Sequence, residues 1–367
     1  MKQSSANKKL PPVWLVNKIN SFRTALLTLN KKIFPGNVVL YEQFQYFWLL
    51  PSLHVAATLN IAEVLRNGPK SIEDISNEVH AHSPSLYRVM RSLSSHGIFK
   101  EKENRIFTLN RVSMALLDGP GSLRYTIIHH LGIVNWVAMG NLLHTVKTGE
   151  DAFTHAHGKP IYDYLSEHPE EYELFDKSMS NLSDMGLPLI LQACDFSKAC
   201  KVADIGGGEG FLLSQVLKTY PKLQGFLFDL PEALVKSETM LESNGVGPRT
   251  EIVPGNFFEK IPVSADLYIL KNILHNWDDT HCLKILSNIK EAMPDGAQVY
   301  IIDMVIPENN SPSISKLLDI QMLGIMEGGR ERTCKEFSVL IEKAGLRLQS
   351  LIQTIGPLSI LIATRKG

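Results

Sequence analysis

From residue 201 onward, short apolar runs alternate with longer stretches whose apolar positions recur every three or four residues. The runs at 201–206, 224–229, 250–254, 266–273, 297–304, 347–354 and 358–364 have the length and branched-residue content of strands. The stretches near 209–220, 231–243, 279–293 and 333–345 have helical period. Alternation of this kind predicts an α/β fold built on a mostly parallel, doubly wound sheet.

The chain before residue 201 has another texture. An apolar helix runs through "LHVAATLNIAEVLRNG" and closes at Gly68. "SIEDISNEVHA" follows, with Ser71 and Asp74 in capping-box spacing. A third helix runs from Ser83-Pro84 to Gly97, and "IFKEKENRIFTLN" reads as a small hairpin. Three helices and a hairpin make a winged-helix pattern. Residues 109–195 look helical. Earlier still, Trp14, Leu15, Ile19, Phe22, Leu26, Leu29 and Ile33 recur at helical spacing, among Lys2, Lys8, Lys9, Lys18, Arg23, Lys31 and Lys32, with no acidic residue before Glu42. This predicts a basic amphipathic helix. Packing on the protein's own body or on a twin subunit is its favoured role, and contact of residues 10–35 with an anionic membrane surface the less favoured one. The patterns divide the chain into an N-terminal extension (1–48), a winged-helix domain (49–115), a helical segment (116–195) and an α/β domain (196–367).

Composition narrows the function. Of 367 residues 44% are apolar and 20% charged, with a formal charge of -1, so nothing marks a nucleic-acid binder. The third helix of the winged pattern offers only Arg88 and Arg91 as cations amid apolar neighbours, which favours dimerisation over DNA. Cys194, Cys200, Cys282 and Cys334 form no CxxC pair, and a reducing cytoplasm is the expected compartment. No apolar run reaches the roughly 18 residues of a membrane span.

Candidate chemistry begins at "VADIGGGEGF", residues 202–211. A dinucleotide fingerprint places its third glycine where Phe211 stands. Glu209, at the expected helix start, would repel a pyrophosphate there. The turn therefore suits a ligand without phosphate that still needs close backbone approach. Asp229 ends the second strand, about twenty residues on, where a carboxylate accepts the hydroxyls of an adenosine ribose. S-adenosylmethionine meets both demands. NAD, or a turn that merely packs a helix on a strand, are the weaker readings.

The segments "VADIGGGEG", "FDLPEAL", "LKNILHNWDD" and "EGGRERTCKEF", with the winged-helix segment, stand in one order. From about residue 50 to the end the chain resembles the plant-type small-molecule O-methyltransferases and their bacterial relatives, the group of caffeic acid and hydroxyindole O-methyltransferases. The resemblance implies a class I methyltransferase, Rossmann-like sheet and a homodimer joined through the winged-helix domain. It implies S-adenosylmethionine as cofactor, S-adenosylhomocysteine as product, and no metal. It also places the acceptor pocket in the helical segment.

His275 follows the strand "ADLYILKNIL", and a histidine poised near neutral pH suits removal of a phenol proton. The resemblance makes His275 the general base, flanked by Asp303 and Glu331, which orient its ring. The family usually has Glu at the place of Asp303 and Asp at that of Asn276. Cofactor contacts carry over to Gly206, Gly208, Asp229, Lys271 and Ser183. Asn256-Phe257 stands where Asp-Met is common, so Asn256 would offer its carbonyl to the adenine and Phe257 would stack on it. Phe175 and Met179 match pocket walls, and the acceptor contacts expected are His129, His130, Trp136, Phe153, Met179, Met322 and Met326, suited to a flat apolar molecule. The function that follows is methyl transfer to a hydroxyl of a small aromatic or polyketide-like metabolite. The alternative is a cofactor-binding member that catalyses pericyclic, decarboxylating or hydroxylating chemistry. A ligand-sensing regulator would need a basic third helix, which is lacking. A magnesium site would need an acidic cluster, and Asp278-Asp279 is better read as a helix start.

Overall fold

The computed structural model describes residues 11–366, so Lys2, Lys8 and Lys9 lie outside the described residues. The chain divides into two compact units, Leu27–Met185 and Met1–Leu26 with Gly186–Gly367.

Helices α1 (Val13–Ile33) and α2 (Gly36–Phe44) bury none of their residues. α3 (Tyr46–Thr58) is continuous through Pro51, but the chain then turns at Asn60, whose φ is 55°. This left-handed residue ends the single helix expected to run on to Gly68, and the short α4 (Ile61–Val64) follows. β1 (Lys70–Ser71) leads into α5 (Ile72–Glu78), where the Ser71 side chain accepts the Asp74 N–H. α6 (Ser83–Ser95) precedes Gly97 at φ 75°, and then β2 (Lys100–Lys102) and β3 (Ile106–Thr108) close an antiparallel sheet in the order β1-β3-β2. Ile61, Ile72, Ile75, Met90, Leu93 and Phe107 form its core, each worth about 1.5–3 kcal/mol of burial.

The next segment is helical as expected: α7 (Arg124–His130), α8 (Ile133–Gly140), α9 (Leu142–Thr148), α10 (Ala152–His157), α11 (Ile161–Glu167) and α12 (Pro169–Ala193). The unit boundary falls inside α12 rather than after it, because Ile190 and Cys194 already belong to the core of the sheet.

The sheet unit alternates β4 (Lys201–Ile205), α13 (Phe211–Thr219), β5 (Gln224–Asp229), α14 (Ser237–Ser243), β6 (Thr250–Pro254), β7 (Leu267–Lys271), α15 (Asp279–Ala292) and β8 (Gln298–Ile306). α16 (Ile314–Ile325), β9 (Arg332–Thr333), α17 (Cys334–Lys343), β10 (Leu346–Gln353) and β11 (Leu358–Arg365) complete it. Strand order is β10-β11-β8-β7-β4-β5-β6, with β9 added beside β8. β11 runs antiparallel to both neighbours and the other pairings are parallel. The sheet is thus mixed, in class I methyltransferase order. α16 and the two-residue β9 were not anticipated from the pattern.

Covered faces explain the apolar strands. Tyr268, Leu270, Val299 and Ile301 point to the side packed by Ile285, Ile289 and Phe337 of α15 and α17. Leu267, Ile269, Tyr300 and Ile302 point to the side packed by Leu213, Val216 and Leu241 of α13 and α14. Strands covered on both faces read as continuous apolar runs. The chain reverses direction across the sheet between β4 and β7, and the carboxyl ends there are where ligands settle in open α/β sheets.

Candidate active site

The glycine turn leaves β4 with Gly206, Gly208 and Gly210 at φ 72°, 57° and 85°. A Cβ on Gly206 would lie 2.5 Å from Ile273 Cδ1 and 3.6 Å from Phe257 Cε1, whereas one on Gly208 would meet nothing within 4 Å. The turn is tight against the next loop and open above Gly208. Asp229 faces this opening: its Oδ2 accepts the Gly208 N–H at 2.8 Å and its Oδ1 accepts the Leu230 N–H at 2.7 Å. Burial raises the Asp229 carboxyl, against the pull of these two donors. Gly210 caps α13, so Glu209 stands before the helix instead of at its first turn, and it pairs with Lys236 Nζ at 3.2 Å.

Beneath the opening lies a set of buried charges. Burial pushes Asp204 up to about 7, with Lys271 opposing the shift. Burial lowers Lys271, and Asp204 and Asp303 hold it up. Asp303 is fully buried and burial pushes it up to about 7, against His275, Arg332 and Lys271. Both Asp303 oxygens, Asp204 Oδ2 and Glu331 Oε2 are buried without a hydrogen-bond partner. Such atoms are uncommon in folded chains.

His275 sits on a short 3-10 turn, Leu274–Asn276, reached through Asn272 at φ 55°. Asparagine tolerates that left-handed conformation, which redirects the chain at the end of β7. His275 Nδ1 is 2.8 Å from Glu331 Oε1, and the ring is 13% exposed. Burial lowers the imidazole, but the Glu331 bond and the charges of Asp303 and Glu331 outweigh it, so His275 stands above its ordinary value. Glu331 alone bonds the ring; Asp303, expected to orient it as well, makes no hydrogen bond and acts only through its charge.

A residue absent from the expected set holds this loop. Arg332 is fully buried, donates to the Leu274 and Trp277 carbonyls at 2.9 and 2.8 Å, and pairs with Asp279 Oδ1 at 2.8 Å. The carbonyls it grips flank His275. Arg330 N–H donates to the His275 carbonyl at 2.8 Å, and Asp319 Oδ1 accepts the Glu331 N–H at 2.8 Å. The visible signal was an arginine beside Glu331 in "EGGRERT". Arg332 was missed because its partners are backbone carbonyls, which leave no mark in a sequence. Asp204 carried a signal too, as the carboxylate before the glycines.

Asn256 Oδ1 accepts the Phe258 N–H at 2.9 Å, so the carbonyl expected to face an adenine already has one donor and keeps one lone pair. Phe257 packs edge-on to Phe258 with centroids 4.7 Å apart, and Asn288 holds its carbonyl. Met322 and Met326 line the same loop: a Cβ on Gly329 would lie 2.5 Å from Met326 Cβ, 3.2 Å from the His275 carbonyl and 3.4 Å from Met322 Cε. The sheet unit therefore gathers Gly206, Gly208, Asp229, Asn256, Phe257, Lys271, His275, Asp303, Glu331, Met322 and Met326. Ser183, Met179, Phe153, His129, His130 and Trp136 belong to the helical unit. There Phe153 is buried against His157 and Tyr164. Burial pulls His129 down to about 4, so it is neutral at pH 7, and its carbonyl accepts from Asn135. Trp136 is half-buried beside Phe47.

The open glycine cradle, the acceptor Asp229 and the unsatisfied carboxylates fit an adenosyl group with cationic ends, and they disfavour phosphate. Among the described residues no cluster of three or more His, Cys, Asp or Glu could hold a metal ion. Asp278 instead caps α15 by accepting the His281 N–H.

Fold and site together define a class I methyltransferase that takes S-adenosylmethionine. Comparison with known proteins narrows the class. An O-methyltransferase domain matches residues 139–347, and an O-methyltransferase dimerisation domain matches residues 41–119. The phenazine O-methyltransferase of Lysobacter antibioticus is 37% identical over 330 residues, covering 90% of this chain and 96% of that one. A crystal structure of a phenazine-type relative superposes with a TM-score of 0.85 at 36% identity, covering 91% of this chain and 100% of that one. An O-methyltransferase from neocarzinostatin biosynthesis, solved with S-adenosylmethionine and 2-hydroxy-5-methyl naphthoic acid, superposes at 0.74 with 28% identity, covering 86% of this chain and 96% of that one. The chain belongs to the O-methyltransferase family and is an S-adenosylmethionine-dependent O-methyltransferase. No helix of the described residues is long and apolar enough to cross a membrane.

Proposed function

We propose that the protein methylates a hydroxyl of a small aromatic or polyketide-like metabolite, with His275 as general base, and that it works as a homodimer through its dimerisation domain. The observation that carries the reading is the 2.8 Å contact of His275 Nδ1 with Glu331 Oε1. A carboxylate on Nδ1 holds the ring proton there and leaves the Nε2 lone pair as acceptor. The acceptor hydroxyl gives its proton to Nε2 as its oxygen becomes the nucleophile, and Glu331 stabilises the imidazolium that forms. Asp303, buried nearby, adds negative charge that favours the same protonated state.

S-adenosylmethionine, when bound, supplies an electrophilic methyl group on a positively charged sulfur. Gly206, Gly208, Asp229, Asn256, Phe257, Lys271 and Ser183 are assigned to hold it. The backbone at Gly208 allows close approach, and Asp229 keeps acceptor capacity beyond its two N–H donors. Met322 and Met326 lie beside the His275 loop and are assigned to a flat acceptor, together with Phe153, Met179, His129, His130 and Trp136. The relatives' names, a phenazine enzyme and a complex with a hydroxylated naphthoic acid, support a fused aromatic hydroxyl.

The test is transfer of labelled methyl to a pooled panel of phenols, hydroxyindoles, hydroxyquinones, hydroxyphenazines and hydroxynaphthoates, read by mass spectrometry, with His275→Ala beside wild type. Label on a hydroxyl that nearly vanishes in the variant is the expected result. Equal transfer by the variant removes His275 as base. Cofactor binding without transfer moves weight to the non-methylating alternative.

A further inference from the structure

We propose that Asp204 and Asp303 store a proton in the cofactor-free protein and give it up when the cationic cofactor binds. Asp204, Lys271 and Asp303 stand on β4, β7 and β8, three neighbouring strands with Lys271 on the middle one. Asp204 is 2% exposed and Asp303 is fully buried. Asp204 Oδ2 and both Asp303 oxygens have no hydrogen-bond partner. A carboxylate buried in that way sheds its charge by taking a proton.

The groups around the two aspartates leave them short of positive charge. Asp204 is faced by Lys271, by Asp229 and by the Leu213 amide. Asp303 is faced by Lys271, His275, Glu331 and Arg332. It is also faced by the Cys282 thiol, which burial pushes up to about 12 and so keeps neutral. Arg332 is already paired with Asp279 at 2.8 Å. The carboxylates of Asp204, Asp229, Asp303 and Glu331 therefore share Lys271 and His275. Burial pushes Asp204 and Asp303 up to about 7, so near neutral pH a nearby cation is enough to displace a proton from them.

S-adenosylmethionine brings a net positive charge, a sulfonium and an ammonium against a single carboxylate. S-adenosylhomocysteine, with a neutral sulfide, brings none. The first favours ionised aspartates and expels the stored proton, whereas the second leaves it in place. Methyl transfer itself then conserves the charge of the site. The carbon–sulfur bond breaks and a carbon–oxygen bond forms, so the cofactor loses its positive charge. The hydroxyl proton, which on the proposed reading passes to His275 Nε2, brings one in. The proton that the reaction liberates thus reaches solvent when the next cofactor binds, not at the transfer step.

The experiment titrates full-length protein with each ligand by calorimetry, in buffers of different ionisation enthalpy. It runs from about pH 5.5 to about pH 7, below the range where α-amino groups titrate. S-adenosylmethionine is expected to release up to about one proton per site, and its affinity to rise by up to about tenfold per pH unit. S-adenosylhomocysteine is expected to do neither. Asp204→Asn with Asp303→Asn is expected to abolish the release, and His275→Gln to keep it. Infrared difference spectra of wild type are expected to lose a protonated-carboxyl band with S-adenosylmethionine and to keep it with S-adenosylhomocysteine. Equal proton exchange for the two ligands overturns the proposal, as does release that survives in the double variant or vanishes in His275→Gln. If the double variant fails to fold or to bind, the wild-type spectra decide: a carboxyl band that S-adenosylmethionine leaves unchanged overturns the proposal. No acceptor is present, so this test and the methyl-transfer test of His275 as base fail separately.

Discussion

At the carboxyl edge of the sheet, Asp204, Asp303 and Glu331 are polar groups taken out of water with oxygens left unsatisfied. Along α1 and α2, Trp14, Phe22 and Ile33 are large apolar groups left in water. Each arrangement costs free energy in the single chain, one by desolvation and the other by hydration of hydrocarbon. The comparison teaches that the two kinds of misplacement belong to different kinds of missing partner. Unsatisfied carboxylates around Lys271 and His275 suit a small cationic ligand and a moving proton. Exposed apolar side chains suit burial against another apolar surface.

Replacing the base is the strongest way to break this comparison. His275→Ala is expected to lower methyl transfer about 10²–10⁴-fold, while cofactor affinity by calorimetry stays near wild type. Equal loss of cofactor affinity would mean that the buried charges form one undivided binding site. Asp229→Ala comes next. Loss of a charged acceptor, together with the Gly208 and Leu230 N–H bonds it organises, is expected to weaken cofactor binding roughly 10–100-fold. Unchanged affinity would remove Asp229 from the site.

Gly206→Ala has a smaller effect. It forces a left-handed conformation on a residue with a Cβ, at about 1–2 kcal/mol, and pushes on Ile273 Cδ1. A lower melting temperature is expected, and an unchanged one would mean the turn has slack.

The smallest effect sharpens the role of Asp303. In wild type His275 is raised above its ordinary value, so transfer is expected to fall as pH drops through that raised value and the base becomes protonated. Asp303→Asn removes a negative charge that favours the protonated ring. The acid limb of kcat/KM against pH should then move to lower pH. A limb that stays in place or moves up would show that Asp303 is neutral throughout and contributes no charge to the base.

Much of the fold was legible because its signals are local. The seven long strands were placed from apolar runs that two covered faces demand, and α15 from the Asp278 cap. Elements that depend on neighbours were not. β9 has two residues and exists only through its pairing with β8 at Val305 and Ile306. The break at Asn60 depends on one backbone angle that no residue pattern announces. In the site, His275 and Glu331 were both nameable, but their 2.8 Å contact spans 56 residues of chain. The equal weight given to Asp303 as a ring-orienting group was not upheld by the hydrogen bonding, since nothing in a sequence separates a carboxylate that bonds from one that only sits near.

By itself the order of residues determined the α/β alternation, the glycine turn with its following carboxylate, and the family to which the motifs belong. These rest on short-range rules: side-chain period, backbone freedom at glycine, and spacing within one loop. Only the tertiary structure decided which carboxylate holds the histidine, that Arg332 grips the loop carrying it, and that the face of α1 lies open. Those depend on where distant segments exclude water, and burial is a property of the whole packing that no local stretch of chain contains.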